Sequence, residues 1–209
     1  TKDKKVIWQY KLAKPNREIA SAQRLPNGNT MITELGPKPR LREISRDGKI
    51  ALEIALQPET KNAHKQTRMA RKLPNGNYLV PHLLAFAVKE YDPSGKVVNI
   101  LRTDLKELGG RKARNWPFTA IKLPNGNILI NLTNGDKTVE MDNNGKVVWM
   151  ADNKTSKGLF KDPCGGQQLS NGNRVICSYG QRNADKARIF EIDKNKQVVW
   201  EFYHPHIRA

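Results

Sequence analysis

The residues with chemistry to offer are few, and they lie between regular stretches. His64 and His82 are two imidazoles that a single repeating unit brings into neighbouring loops. An imidazole titrates near neutral pH, and a pair in reach of each other can bind a metal or pass a proton. Either task needs a third ligand or an orienting carboxylate, and no spacing in the sequence fixes one. Arg17, Arg68, Arg114, Arg182, Trp116 and Tyr179 stand in the same kinds of loop. Together they make a basic rim with aromatic groups, suited to an anionic ligand. His204 and His206 flank Pro205 and read as a terminal loop. Cys164 and Cys177 are too few for a disulfide scaffold or a metal set. No base stands at a fixed spacing from either to make it a nucleophile. A two-residue hairpin turn would set Cys177 opposite Gly166, with Cys164 one step diagonal. Free buried thiols are then the simpler expectation, and a disulfide would need local irregularity.

The elements that position these residues are announced by a repeat. Leu25-Pro26-Asn27-Gly28-Asn29 recurs at Leu73–Asn77, at Leu123–Asn127 and, as Leu169-Ser170-Asn171-Gly172-Asn173, a fourth time. The starts are 48, 50 and 46 residues apart, a period that fills the chain. Asn-Gly between extended segments is a strong hairpin signal, and the proline before it belongs at a strand end. A second turn follows in each unit: Asp47-Gly48, Asp92 to Gly95, Asp142 to Gly145, and the glycine-free Asp193 to Lys196. Two turns and a period-two alternation predict four strands per unit. The units cover 20–54, 68–101, 118–150 and 165–202.

Third strands share a hydrophobic-x-Glu-hydrophobic pattern around Glu43, Glu90, Glu140 and Glu191. These carboxylates are expected to pair with Lys or Arg across strands. Fourth strands carry Trp149 and Trp200 in one phase, where Leu52 and Asn99 stand in the other copies. Residues 4–10 have the same pattern with Trp8 in that phase, and read as one more outer strand. Four-stranded units of this length pack radially, so the fold class is all-β, a β-propeller of about four visible blades. Four opening motifs against five closing strands leave three arrangements: four blades closed on themselves with one redundant strand, a segment of a longer ring of about six to eight blades, which is the preferred expectation, or an oligomer whose chains complete a ring. In such a blade the short, alike turns emerge on one face. The variable connections, with the histidines and arginines, emerge on the other, where binding residues are usually placed. Trp116 is out of phase with the repeat tryptophans and is the best single aromatic candidate for binding.

The formal charge is +17, from 37 Lys plus Arg against 20 Asp plus Glu. Such a field attracts polyanions without specifying one. No nucleic-acid-binding signature accompanies it, so an anionic saccharide, an anionic small molecule or a protein surface is preferred to nucleic acid. No apolar run reaches the roughly 20 residues of a membrane-spanning helix. The chain does not begin with Met, as in a processed exported protein or a trimmed chain, and a periplasmic or secreted bacterial location is the expectation.

The opening motif followed by Val139-Glu140-Met141-Asp142-Asn143-Asn144-Gly145-Lys146-Val147-Val148-Trp149 resembles bacterial PQQ-like and WD40-like propeller repeats. The last stretch is similar to the tryptophan-docking motif of quinoproteins, which implies that the tryptophan packs between blades. The opening motif is similar to repeats of arylsulfotransferase-like propellers. The adjacent cysteine pair and acidic calcium cluster of quinoprotein dehydrogenases are not in this sequence, and no cofactor or metal is expected. No histidine here matches the central histidine of arylsulfotransferases. The reading preferred from sequence is a non-catalytic binding or scaffolding propeller. The alternative is an enzyme acting on an anionic substrate at the channel mouth. It requires His64 or His82 beside a carboxylate, with arginines from two units converging.

Overall fold

The structure, a computed structural model, describes residues 3–203. His204 and His206 lie outside the described residues. Sixteen strands form four antiparallel sheets, each with its strands side by side in chain order. Sheet 1 holds β1 (Glu18–Arg24), β2 (Thr30–Leu35), β3 (Arg40–Ile44) and β4 (Ile50–Ala55). Sheet 2 holds β5 (Arg71–Lys72), β6 (Tyr78–His82), β7 (Ala87–Tyr91) and β8 (Val97–Arg102). Sheet 3 holds β9 (Trp116–Lys122), β10 (Ile128–Thr133), β11 (Lys137–Met141) and β12 (Val147–Asp152). Sheet 4 holds β13 (Pro163–Gln168), β14 (Arg174–Ser178), β15 (Ile189–Ile192) and β16 (Val198–Phe202).

The opening motif closes a three-residue loop. The Leu25 amide donates to the Asn29 carbonyl at 2.9 Å, and the Gly28 amide to the Leu25 carbonyl at 3.0 Å. Gly28 has φ +86°, the left-handed position that follows a type I turn in such hairpins. The extra loop residue moves the register by one. Cys177 therefore faces Gly165, where a two-residue turn would have set it against Gly166. Cys164 falls in a bulge, and both thiols are free and half-buried.

The motif's asparagines have a second task. Asn77, Asn127 and Asn173 donate their side-chain amides to Glu90, Glu140 and Glu191 at 2.6, 2.7 and 2.5 Å. Asn29 reaches Glu43 at 3.5 Å. The repeated glutamate thus ties the third strand to the first hairpin of its own sheet. Pairing with a cation, as expected from sequence, is added at Glu43 by Lys72 and at Glu140 by Arg174.

The sheets stack face to face, and apolar cores form between consecutive ones. Met31, Leu41 and Ile54 of sheet 1 meet Tyr78, Val80 and Tyr91 of sheet 2. Leu79, Val88 and Leu101 of sheet 2 meet Ile128, Ile130 and Met141 of sheet 3. Ala151 and Trp149 of sheet 3 meet Ile176, Phe190 and Ile192 of sheet 4. Each fully buried Val, Leu, Ile, Met or Phe among them contributes about 1.5–3 kcal/mol. Among the described residues no core joins sheet 4 to sheet 1, so the four sheets are not closed into a ring.

The outer face of sheet 1 is covered differently. Residues 4–10 pair in no ladder, although their sequence reads as a strand. Tyr10 donates to the buried Glu34 at 2.5 Å, Arg40 meets the same carboxylate at 2.6 Å, and Trp8 lies under Arg24 at 5.3 Å. Burial pushes the Glu34 carboxyl up, but the hydrogen bonds from Tyr10 and Arg40 outweigh it and hold it below the usual range.

At the other end of each sheet, the loop between second and third strands packs on the connection that enters the sheet. A Cβ at Gly36 would sit 2.9 Å from Asn16 Cα. One at Gly135 would run into Asn115 Oδ1. Only glycine admits these approaches, which hold the two kinds of variable loop on one end of the molecule.

Candidate functional site

His64 lies in a short 3-10 turn, Ala63–Lys65, in the connection from sheet 1 to sheet 2. Its Nδ1 is 3.2 Å from Glu18 Oε1, at the start of β1. The Arg68 guanidinium is buried between them. It donates to Glu18 Oε1 at 2.8 Å and closely to the His64 carbonyl. The ring centre of Phe118, from sheet 3, lies 5.7 Å from the same guanidinium. With Nδ1–H donating to Glu18, the ring's Nε2 is left as an acceptor on a side chain 78% exposed. A carboxylate that fixes the tautomer and orientation of an exposed imidazole makes that imidazole fit to take and return a proton.

Next to this group is a cleft of about 610 Å³. It is lined by Glu59, Leu84, Ala85, Phe86, Arg102, Arg111, Arg114 and Trp116. Lys65, which follows His64 directly, places its ammonium 5.7 Å from the Trp116 ring centre and so links the two regions. Arg111 stacks on Phe86 at 4.4 Å. Three arginines and an aromatic wall make a surface for an anion with an apolar part.

His82 is elsewhere. Its side chain is fully buried, with Nε2 3.0 Å from the Tyr91 hydroxyl and Nδ1 3.7 Å from Glu59 Oε2. Burial pushes its pKa down, against the pull of Glu59. Glu59 is raised by burial but drawn down more strongly by His82 and Lys89, to about 2, and is ionised at neutral pH. Each histidine thus has a carboxylate of its own, and no hydrogen bond joins the two. Arg17 lines a separate cleft of about 660 Å³ with Pro37, Pro58, Lys61 and Gln66. Tyr179 is exposed on sheet 4, in the loop that also carries Arg182. Of the residues singled out from sequence, the structure brings together His64 and Arg68, and near them Arg114 with Trp116.

Glu18, Lys65, Phe86, Arg102 and Arg111 are additions that sequence reasoning missed. A signal was present for some of them. Asn16, His64 and Arg114 stand at one distance before the motif leucines Leu25, Leu73 and Leu123; Glu18, Gln66 and Trp116 stand at another. Counting back from the motif aligns the residues that enter each sheet, and these offsets carry the site. Among the described residues no group of three His, Cys, Asp or Glu is arranged to hold a metal ion.

Residues 1–197 match the Mal s 1 allergenic protein-like family. The chain belongs to that family. The resemblance drawn from the motifs reached the repeated four-stranded sheets, but the family is a different one. Among solved structures, a protein of unknown function from Bacteroides caccae is 24% identical, with a TM-score of 0.81, over 98% of this chain and 73% of its own. A catalytically inactive His-to-Ala variant of virginiamycin B lyase from Staphylococcus aureus, solved with quinupristin, is 16% identical, with a TM-score of 0.66. It is covered over 59% of its length by 95% of this chain. A streptogramin B lyase is 14% identical, with a TM-score of 0.68, over 94% of this chain and 58% of its own. This family member thus spans less than two thirds of the lyases it resembles, and at these identities the likeness is one of fold. No match to a curated protein was found.

Proposed function

We propose that the protein is an enzyme that transfers a proton to or from an anionic small molecule or saccharide, bound where the connections entering the sheets converge. The sheets are read as consecutive blades of a propeller, with the site at the mouth of its axis. One observation carries the reading: His64 is exposed yet oriented by Glu18, and Glu18 is held in turn by the buried Arg68. The condition set from sequence was a histidine beside a carboxylate with arginines from two units converging, and the His64–Glu18 contact supports its first half. Arg68 enters sheet 2, and Arg114 enters sheet 3 beside Trp116. The preference for a purely binding role is therefore reversed. In the lyase a His-to-Ala change accompanies loss of catalysis, which at 16% identity is a reason to test an exposed histidine first and nothing more.

His64 Nε2 acts as the base or acid, Glu18 fixes its ring, and Arg68 fixes Glu18. The test is turnover of a panel of uronic, sulfated and phosphorylated saccharides and small molecules by the purified protein. For any substrate found, His64→Gln is expected to lower kcat by about 10²–10⁴-fold with little change in KM. Glu18→Gln is expected to lower kcat less and to shift the pH profile. Unchanged kcat in His64→Gln would remove His64 as the base or acid, and no turnover of any compound in the panel would return the protein to the class of binding modules.

A further inference from the structure

The cleft beside Trp116 carries more positive charge than its own carboxylates balance. Glu59 is closed on Lys89 at 2.7 Å. Asp104 is shared by Arg102 at 2.6 Å and Arg111 at 3.0 Å, so two guanidiniums divide one carboxylate. Among the described residues the Arg114 guanidinium has no hydrogen bond or ion pair, and the Lys65 ammonium has no carboxylate. About three positive charges are left over, all around one opening.

Two further observations point to an absent partner. The Trp116 indole nitrogen is buried and has no acceptor among the described residues. A buried donor without an acceptor is rare and costly, and a turn of the ring toward an occupant of the cleft would relieve it. Arg114 holds a left-handed backbone, φ 51° and ψ 42°, disfavoured for a residue with a Cβ. The Trp116 amide donates to the Arg114 carbonyl at 2.7 Å across this kink. Strain of this kind gathers at ligand clamps, and here it presents an unpaired guanidinium at the cleft's edge.

We propose that this cleft binds a phosphate monoester. Its dianion lies among Arg114, Arg111 and Lys65, one oxygen accepts the Trp116 indole hydrogen, and the organic part lies along Leu84 and Ala85. The charge count selects the class. A carboxylate or sulfate ester brings one negative charge, whereas a phosphate monoester brings close to two at neutral pH. Guanidiniums suit its tetrahedral oxygens, and a cleft of about 610 Å³ is in the range that encloses a small ligand. The inference deepens the proton-transfer reading and rests on it only for the ligand's fate at His64, not for binding.

The test titrates the intact protein with phenyl phosphate, phenyl sulfate and benzoate, by calorimetry and by the indole N–H signals in NMR. Trp116→Phe assigns the Trp116 signal and, by keeping a ring, preserves the wall. Phenyl phosphate is expected to shift that signal and to bind at least about tenfold more tightly than the two monoanions. Arg114→Ala should weaken it about tenfold or more, and Trp116→Phe about fivefold, with the melting temperature of each variant confirming its fold. An unmoved Trp116 indole, unchanged affinity in Arg114→Ala, or equal binding of phenyl sulfate or benzoate overturns the proposal. If phenyl phosphate binds but no compound of the panel is turned over, the proton-transfer reading falls and the cleft assignment stands.

Discussion

β10 and β14 hold the same place in two consecutive sheets, yet their surroundings differ. Every residue of β10 is buried, Ile128 through Thr133. In β14 Arg174, Ile176 and Ser178 are buried while Val175 and Cys177 are only half-buried. The fourth strands diverge in the same way. Trp149 is half-buried in the junction of sheets 3 and 4, and donates its indole hydrogen to the Lys194 carbonyl at 3.2 Å. Trp200, in the same phase, is 48% exposed, and Phe202 beside it is 37% exposed. The difference teaches that the repeat specifies what a position can do, and the neighbouring sheet decides whether it does it. Asn99 makes the point from the other side. Lacking an indole, it still donates to the Asn143 carbonyl of the next sheet at 3.2 Å.

The junction should break first at Arg174. This guanidinium is buried, pairs closely with Glu140 and lies 4.3 Å from the centre of the Trp149 ring. Arg174→Met keeps much of the volume but leaves a buried carboxylate without its cation. A loss of about 3–5 kcal/mol is expected, read from the midpoint and slope of urea unfolding. A loss under about 1 kcal/mol would mean that the motif's asparagines alone satisfy Glu140.

The tryptophans give the direct comparison. Trp149→Ala removes a ring packed against sheet 4 and should cost about 2–3 kcal/mol, less than a fully buried ring because half of it is already wet. Trp200→Ala should cost under about 1 kcal/mol in the same assay. Equal losses would show that Trp200 is covered in solution, and that the open face of sheet 4 has found an occupant.

How far the sequence was legible follows from the same contrast. Leu-Pro-Asn-Gly-Asn marked each hairpin because glycine's positive φ and asparagine's turn bonding are local properties. The glutamates at 43, 90, 140 and 191 were visible as a pattern, and two of the expected cations are there, at Glu43 and Glu140, but the asparagine partners shared by all four were missed. Their bonds to the motif's asparagines run between the second and third strands, and they depend on a register that one extra loop residue sets. Residues 4–10 carry a strand's alternation, yet Tyr10 is claimed by Glu34, a buried carboxylate on a sheet face and not on a ladder edge. The site was half-legible. His64, Arg68, Arg114 and Trp116 stood out as types, whereas Glu18 did not, because a single glutamate at the start of a strand looks like any solvated charge. Only the approach of sheets 1 and 2 turns it into the partner of His64.

Acid should act on the same junction, by the smallest of these effects. Burial raises the Glu140 carboxyl, but hydrogen bonds from Asn127, Asn125 and Arg174 outweigh it and hold its pKa below the usual value. Glu43 is held down in the same way, against its burial, by Lys72 and Tyr78. A carboxyl with a depressed pKa in the folded state releases its proton more readily there than in the unfolded chain. It therefore adds stability at pH values above the unfolded pKa of about 4.3, and that stability is lost as pH falls below it. Urea midpoints measured from pH 7 to pH 3 should be level at first and then decline. In Arg174→Met the Glu140 carboxyl loses one of the bonds that hold it ionised, so its share of the decline should shrink. The remaining slope is left to the other carboxyls held below their usual range, Glu59 first, with Glu43 and Glu34. An acid limb equally steep in wild type and Arg174→Met would mean that Arg174 does not hold Glu140 in its ionised form. The contrast between the closed junction and the open face would then rest on packing alone.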